Sequence, residues 1–175
     1  MPTALITGSS QRIGLNIARS LAKMGYNIAL HYNTTKEICE NSATQIEEEF
    51  KVKCRAFQCD LTNLETIPLF FQKILQHYGE EINTLVNNAS FFTKSSIHNI
   101  STQEITQSFS VHYFAPLILS QLFSKQKNIK NGIIINMLDK NISRNKTQYL
   151  GYTHSKKSLL ELTKYLAIEL APNIR

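Results

Sequence analysis

Thr7-Gly8-Ser9-Ser10-Gln11-Arg12-Ile13-Gly14 decides how the rest of this chain is read. It follows a short apolar run, Ala4-Leu5-Ile6-Thr7, that suits a buried strand. It precedes a stretch in which Ile13, Ile17, Leu21 and Met24 fall on one helical face, with Gly25 as the stop. Gly8 permits a tight turn, and Gly14 lets the start of the helix pack closely on the strand. The first N–H groups of a helix have no partner within it, so a strand, a glycine turn and a helix start can face a pyrophosphate. A plain structural turn would use the same two glycines. Their place after the first strand and before an amphipathic helix favours a dinucleotide.

Outward from this stretch the pattern repeats. Asn27-Ile28-Ala29-Leu30-His31-Tyr32 reads as a second strand, and residues 35–50 as a polar helix with Glu47-Glu48-Glu49 in it. Val52 to Cys59 is a third strand and Leu64 to Tyr78 a third helix. Thr84-Leu85-Val86-Asn87 is a fourth strand. Residues 102–125 form a long helix bent at Pro116. Ile133-Ile134-Ile135-Asn136-Met137 is a fifth strand, and Gly151 to Ala171 a final helix with Leu159, Leu162, Leu166 and Leu170 on one side. Strict alternation of this kind predicts an α/β fold: a doubly wound parallel sheet with helices on both faces.

Composition agrees. The chain has 175 residues, 42% hydrophobic and 18% charged, which fits one domain with a sizeable core and excludes disorder and a coiled coil. No apolar run is long enough to span a membrane, and the N-terminus has no basic segment followed by a long apolar stretch, so a cytoplasmic protein is expected. Three cysteines are too few for a disulfide scaffold. Cys54 and Cys59 are an odd number of residues apart on one strand and so face opposite sides, and no His/Cys cluster suggests a metal. The net charge of +6 is spread along the chain, which argues against a nucleic-acid partner and supports a mild preference for anionic ligands.

In such sheets ligands bind beyond the carboxyl ends of the strands. The second strand ends in His31-Tyr32-Asn33-Thr34-Thr35-Lys36, with no acidic residue to hold a ribose 2′-hydroxyl. Arg12, Thr34 and Lys36 can instead hold a 2′-phosphate, which favours NADP over NAD, or line a solvated loop. Asp60, at the end of the third strand, is either an adenine acceptor, the N-cap of the next helix, or both. Asn87 and Asn88 are poor strand residues and point to bonds that fix neighbouring strands. Phe91 and Phe92 lie on the loop over the same end, as core or as a stacking surface. Asp139 follows the fifth strand. Tyr152 and Lys156 lie one helical turn apart, where an ammonium favours phenolate and a phenol can donate a proton to a carbonyl or imine. The remaining residues of these strand ends, Ser10, Ile13, Leu61, Ala89, Ser90 and Met137, complete the candidate cofactor contacts.

Together the TGxxxRIG turn, Asn87-Asn88-Ala89-Ser90, Asn136 and the YxxxK pair resemble the short-chain dehydrogenase/reductase family, from residue 3 onward. Within it the chain looks most like the pteridine reductases, including bacterial dihydromonapterin and dihydropteridine reductases. Arg12 stands where most members have glycine, Ser90 where most have the glycine of NNAG, and Asp139 where most have the catalytic serine.

The resemblance implies an NADPH-dependent reductase that transfers hydride to the C=N bond of a dihydropterin. Tyr152 would be the general acid, and Lys156 would bind the nicotinamide ribose and tune Tyr152. Asp139 would orient or protonate a ring nitrogen. Phe92 would stack on the pterin, and Ser90 would contact the cofactor or the pterin. An arginine common after His-Tyr in the second strand is absent near Thr34, and the usual asparagine of the proton relay is His112. The family's sheet continues beyond Arg175, so an incomplete Rossmann domain over 1–175, with strand order 3-2-1-4-5 and an open apolar edge on the fifth strand, is expected. The resemblance also implies a homo-tetramer or homo-dimer through the helices at about 102–125 and 151–171. Two other readings compete: a general carbonyl or 3-oxoacyl reductase, and a shortened, non-catalytic nucleotide-binding module.

Overall fold

Strand β1 (Thr3–Ile6) lies at the centre of a five-stranded parallel sheet, flanked by β2 (Asn27–Tyr32) and β4 (Ile82–Asn87), with β3 (Cys54–Gln58) and β5 (Ile133–Asn136) outermost. The order is 3-2-1-4-5, as the sequence predicts. The structure is a computed structural model and describes residues 1–79, 81–127, 129–144 and 147–175.

The strands read as continuous apolar runs because both faces are covered. Ala4, Ile6, Ile28, Leu30 and Val86 point to one side, where they pack with Ala18, Ala22, Cys39 and Ile46 of helices α1 (Arg12–Lys23) and α2 (Lys36–Phe50). Leu5, Ala29, Ile82 and Leu85 point to the other, against Ile67, Phe70, Phe71 and Ile74 of α3 (Ile67–Tyr78) and Leu119 and Phe123 of α5 (Ala115–Ser124). Cys54 lies in the first cluster and Cys59 in the second, so the two thiols do face opposite sides. All three cysteines are free and buried. No helix of the described residues is long and apolar enough to cross a membrane.

The long helix predicted over 102–125 is interrupted. It opens as α4 (Thr102–Phe109), closed at its start by a capping box in which Ser101 and Glu104 each bond the other's backbone N–H. Ser110–Phe114 is then a π turn, and α5 resumes at Ala115. Pro116 accounts for the change. It has no N–H for the helical ladder, and its ring crowds the carbonyl four residues earlier, that of His112.

The outer edge of β5 departs from the expectation of an open edge. Residues 173–175 run beside it: Gly132 N–H donates to Asn173 O (3.0 Å), Ile134 N–H to Arg175 O (2.8 Å) and Arg175 N–H to Gly132 O (3.0 Å). Ile174 is buried there. The leucine stripe of the last helix, α6 (Leu150–Glu169), also faces inward, since Leu159 and Leu162 are buried within the single chain.

Candidate active site

All the strand ends singled out above meet at one edge of the sheet. In register, Ile6 lies beside Leu30 and Val86, and Asn87 beside Asn136. Between β1 and β4 the winding reverses, and a cavity of about 450 Å³ opens there.

Its floor is the turn after β1. Gly8 has φ +61° and lies so close to Ala89 that an added Cβ would sit 2.8 Å from that residue's Cα. At Gly14 a Cβ would lie 2.4 Å from the Gly8 carbonyl oxygen and 2.6 Å from Asn88 Nδ2. Glycine is required at both positions by contact with backbone. Asn88 Nδ2 donates to the carbonyls of Thr7 and Gly8 (both 2.9 Å), and Thr7 Oγ1 accepts from the N–H groups of Asn88 and Ala89 (both 2.9 Å). Asn87 Nδ2 donates to Asn136 Oδ1 (2.8 Å), whose amide donates on to Thr163 of α6 (2.9 Å). The paired asparagines therefore bond strand to strand and sheet to helix.

His31 lies under the turn. Gly8 N–H donates to its Nδ1 (2.9 Å), so Nε2 carries the proton and donates to Cys59 O (2.9 Å). Burial lowers its pKa to about 4, so the ring is neutral. One imidazole thus locks the ends of β1, β2 and β3 together.

Of the predicted cofactor contacts, Gly8, Ser10, Arg12, Ile13, Gly14, His31, Tyr32, Asn33, Leu61, Asn88, Ala89 and Ser90 line the cavity. Thr34, Asp60, Met137, Tyr152 and Lys156 do not. Thr34 is exposed, and its neighbour Thr35 is the residue that reaches the turn, donating to Ser10 Oγ (2.9 Å). Lys36 lies 3.9 Å from Glu40 along its own helix, which leaves Arg12 as the cation on the cavity wall. Asp60 is not the N-cap of α3. Its Oδ1 closes a local turn by accepting from Thr62 N–H (2.9 Å) and Thr62 Oγ1 (2.8 Å). Gln11, Phe91 and Val111 also line the cavity. Gln11 lay inside the quoted turn, whereas Val111 had no signal beyond its place on a helix.

Beyond Ser90 the cleft carries the titratable groups. Asp139, past β5, bonds Tyr152 and acts through its charge on Lys156, one helical turn further along α6. Tyr152 Oη donates to Asp139 Oδ2 (2.8 Å), and Lys156 Nζ to the Met137 carbonyl (2.7 Å). Phe92, 56% exposed, packs on Tyr149 (ring centroids 4.2 Å apart) and edge-on to Tyr152 (4.6 Å). The loop bearing Phe92 is held down at Ser95, which bonds the backbone of Gln148 and Leu150 (2.9 Å each).

One expectation is reversed. The phenol of Tyr152 is pushed well above its ordinary range, first by burial and then by the Asp139 carboxylate, with only the Ser90 hydroxyl opposing. Lys156 does not offset this, because its amine is turned to Met137 and is itself desolvated, its pKa lowered to about 8. Tyr152 therefore keeps its proton at neutral pH.

Comparison with known proteins places this geometry. The family model described as short chain dehydrogenase matches residues 2–175. An uncharacterized oxidoreductase of Escherichia coli, YohF, is 31% identical over 95% of the chain, and the chain spans 66% of that protein's length. Pteridine reductase 1 of Leishmania tarentolae is 27% identical over 97% of the chain and 72% of its own length. Among solved structures, FolM alternative dihydrofolate reductase 1 of Brucella canis, complexed with NADP, superposes with a TM-score of 0.92 at 30% identity, over 99% of this chain and 70% of that one.

Proposed function

The chain belongs to the short-chain dehydrogenase family, and from that premise we propose that it is an NADPH-dependent reductase of the C=N bond of a dihydropterin or a dihydrofolate-like substrate. The observation that carries the reading is the Tyr152–Asp139 pair: a carboxylate, in place of a hydroxyl, bonded to the buried phenol beside an aromatic surface.

The nucleotide site fits a dinucleotide. Gly8 and Gly14 let the turn pack closely against Ala89 and Asn88, and the start of α1 opens onto the cavity. Gly8, Ser10, Ile13 and Gly14 would hold the pyrophosphate, Arg12 and Asn33 the 2′-phosphate side, and Asn88, Ala89, Ser90 and Met137 the inner end beside Tyr152 and Lys156. When bound, NADPH supplies the hydride.

The chain's own groups handle the proton. Tyr152, kept protonated by burial and by Asp139, donates to the substrate nitrogen. Asp139 then has a basic, hydrogen-bonding heterocycle within its reach, a partner a simple ketone cannot offer. Phe92 presents an exposed ring on which a flat substrate stacks. A related structure with bound NADP and the pteridine reductase relative support the same substrate class.

Dihydrobiopterin and dihydromonapterin with NADPH, followed at the nicotinamide absorbance, test the proposal. Turnover that Tyr152→Phe abolishes supports it. Turnover confined to ketones or oxoacyl thioesters, improved by Asp139→Ser, replaces it with the carbonyl-reductase reading. The exposed face formed by Tyr113, Leu117, Tyr165 and Ile168 is the surface we assign to self-association, which sedimentation of the Ile168→Glu variant tests.

A further inference from the structure

A fully buried histidine of the cleft has no part in the reaction described above. His112 sits in the π turn with no solvent exposure, stacked on Phe91 (centroids 5.1 Å apart) and edge-on to Tyr152 (5.3 Å). Its Nε2 lies 3.1 Å from Ser90 Oγ and 3.3 Å from the Phe91 nitrogen, and its Nδ1 lies 2.9 Å from Ser155 Oγ. The Phe91 N–H can only donate, so Nε2 accepts and the proton of the neutral ring is on Nδ1. Burial, and then the nearby Lys156 ammonium, keep the ring neutral, its pKa lowered to about 3. Nδ1–H donates to Ser155, whose hydroxyl donates to the Tyr152 carbonyl (2.9 Å). One imidazole therefore joins the loop after β4 to the first turn of α6.

Ser90 completes the connection. Its hydroxyl lies 3.1 Å from His112 Nε2, and it is also the group that opposes the upward shift of the Tyr152 phenol. Resting on the reading of Tyr152 as the proton donor, we propose that His112 is a positioning residue that holds the Ser90 hydroxyl against Tyr152, ready to turn its proton from Nε2 to the phenol oxygen as Tyr152 gives up its own. In that step the Tyr152 O–H bond breaks and its proton goes to the substrate nitrogen. The Ser90 O–H bond stays intact and only rotates. Nε2 keeps the Phe91 N–H as a donor, so no buried acceptor is stranded. Asp139 opposes the new phenolate, and the Lys156 amine is turned to the Met137 carbonyl. Ser90 supplies a donor already in place.

Nitrogen NMR on the histidine-labelled chain tests the arrangement without substrate, so its outcome is independent of the reductase reading. The His112 signals, assigned by their loss in His112→Phe, are expected to show the neutral Nδ1–H form unchanged between about pH 5 and 8. The Nε2 resonance is expected to move in Ser90→Ala. A cationic ring in that range, or a proton on Nε2, overturns the proposal. In turnover at saturating NADPH, Ser90→Ala and His112→Phe are each expected to lower kcat about tenfold, with the pterin KM changed less than about twofold, and the double variant to be no slower than the slower single one. Additive losses, or a change in KM alone, overturn it. Ser90 is exposed, so its variant keeps the test should His112→Phe unfold.

Discussion

Tyr152 Oη and Asp139 Oδ2 are 2.8 Å apart, one at the start of α6 and the other just past β5. The phenol donates and the carboxylate accepts, which helps keep the phenol protonated. Tyr152→Phe removes the proton donor while keeping the ring packed against Phe92. On pterin substrate kcat is expected to fall by about 10²–10⁴. NADPH affinity by calorimetry should change little, because the floor of the nucleotide cavity lies at the other end of the cleft.

Gly14 makes the sharpest demand on the nucleotide site. A methyl group there meets the Gly8 carbonyl, the Asn88 amide and Ser9 Cα, all within 2.8 Å. Two of these three are backbone atoms and cannot rotate away. Gly14→Ala is expected to cost on the order of 1–3 kcal/mol in urea unfolding. It should also abolish measurable NADPH binding, since relief requires α1 to move off the turn.

Arg12 has φ +55°, in the left-handed region where glycine is easier. Arg12→Gly relieves strain of about 1 kcal/mol but gives the unfolded chain comparable extra freedom, so stability should shift by less than about 1 kcal/mol. Nucleotide preference should move instead. With the guanidinium gone from the cavity wall, NADPH is expected to bind about tenfold or more weakly while NADH is unaffected. Equal loss for both would remove Arg12 from the 2′-phosphate site.

The strands were legible as short continuous apolar runs between helices and the Tyr152–Lys156 register as a spacing of one helical turn, while the strand order came from the resemblance to a known family. The errors lie where a side chain's role depends on a partner distant in sequence. Thr34 and Thr35 are adjacent, and which of them meets Ser10 is set by the loop's path and leaves no mark in the residue types. The upward shift of Tyr152 follows from burial and from Asp139, thirteen residues away, whereas helical spacing pointed only to Lys156. His112 was visible as a departure from the family pattern. Its bonds to Ser90 and Ser155 come from a π turn that Pro116 imposes, and that turn re-aims the ring in a way an unbroken helix would not.

His31 and His112 are buried and neutral, with pKa lowered to about 4 and about 3. The unfolded chain protonates both below about pH 6.5, while the folded chain does not until far lower. It therefore binds more protons than the folded chain as the pH falls, and stability must drop. The two together should remove roughly 3 kcal/mol between about pH 6.5 and 5. Urea midpoints across that range check this, and His31→Gln should halve the slope.

Lys156 places activity and stability in opposition. It is 3% exposed, and burial lowers its pKa from 10.5 to about 8. Between those two values the unfolded chain holds a proton that the folded chain has released, so this residue's contribution to stability rises with pH. Below pH 8 the buried ammonium costs roughly 3 kcal/mol before its bond to Met137 O offsets part of it. The buried cysteines and Tyr78, whose pKa values are raised, pull whole-protein stability the other way in alkali, so the term is isolated by comparison with Lys156→Met. Any stability advantage of Lys156→Met at pH 7 should shrink as the pH passes 8 and be least near 10.5. Turnover should behave oppositely. The ammonium that donates to Met137 O and carries the positive charge of the cleft is lost above about pH 8, so kcat/KM of the unaltered chain should fall there. A rate that stays level through pH 9 would show that the charge on Lys156 is not needed for the reaction, whatever its effect on folding.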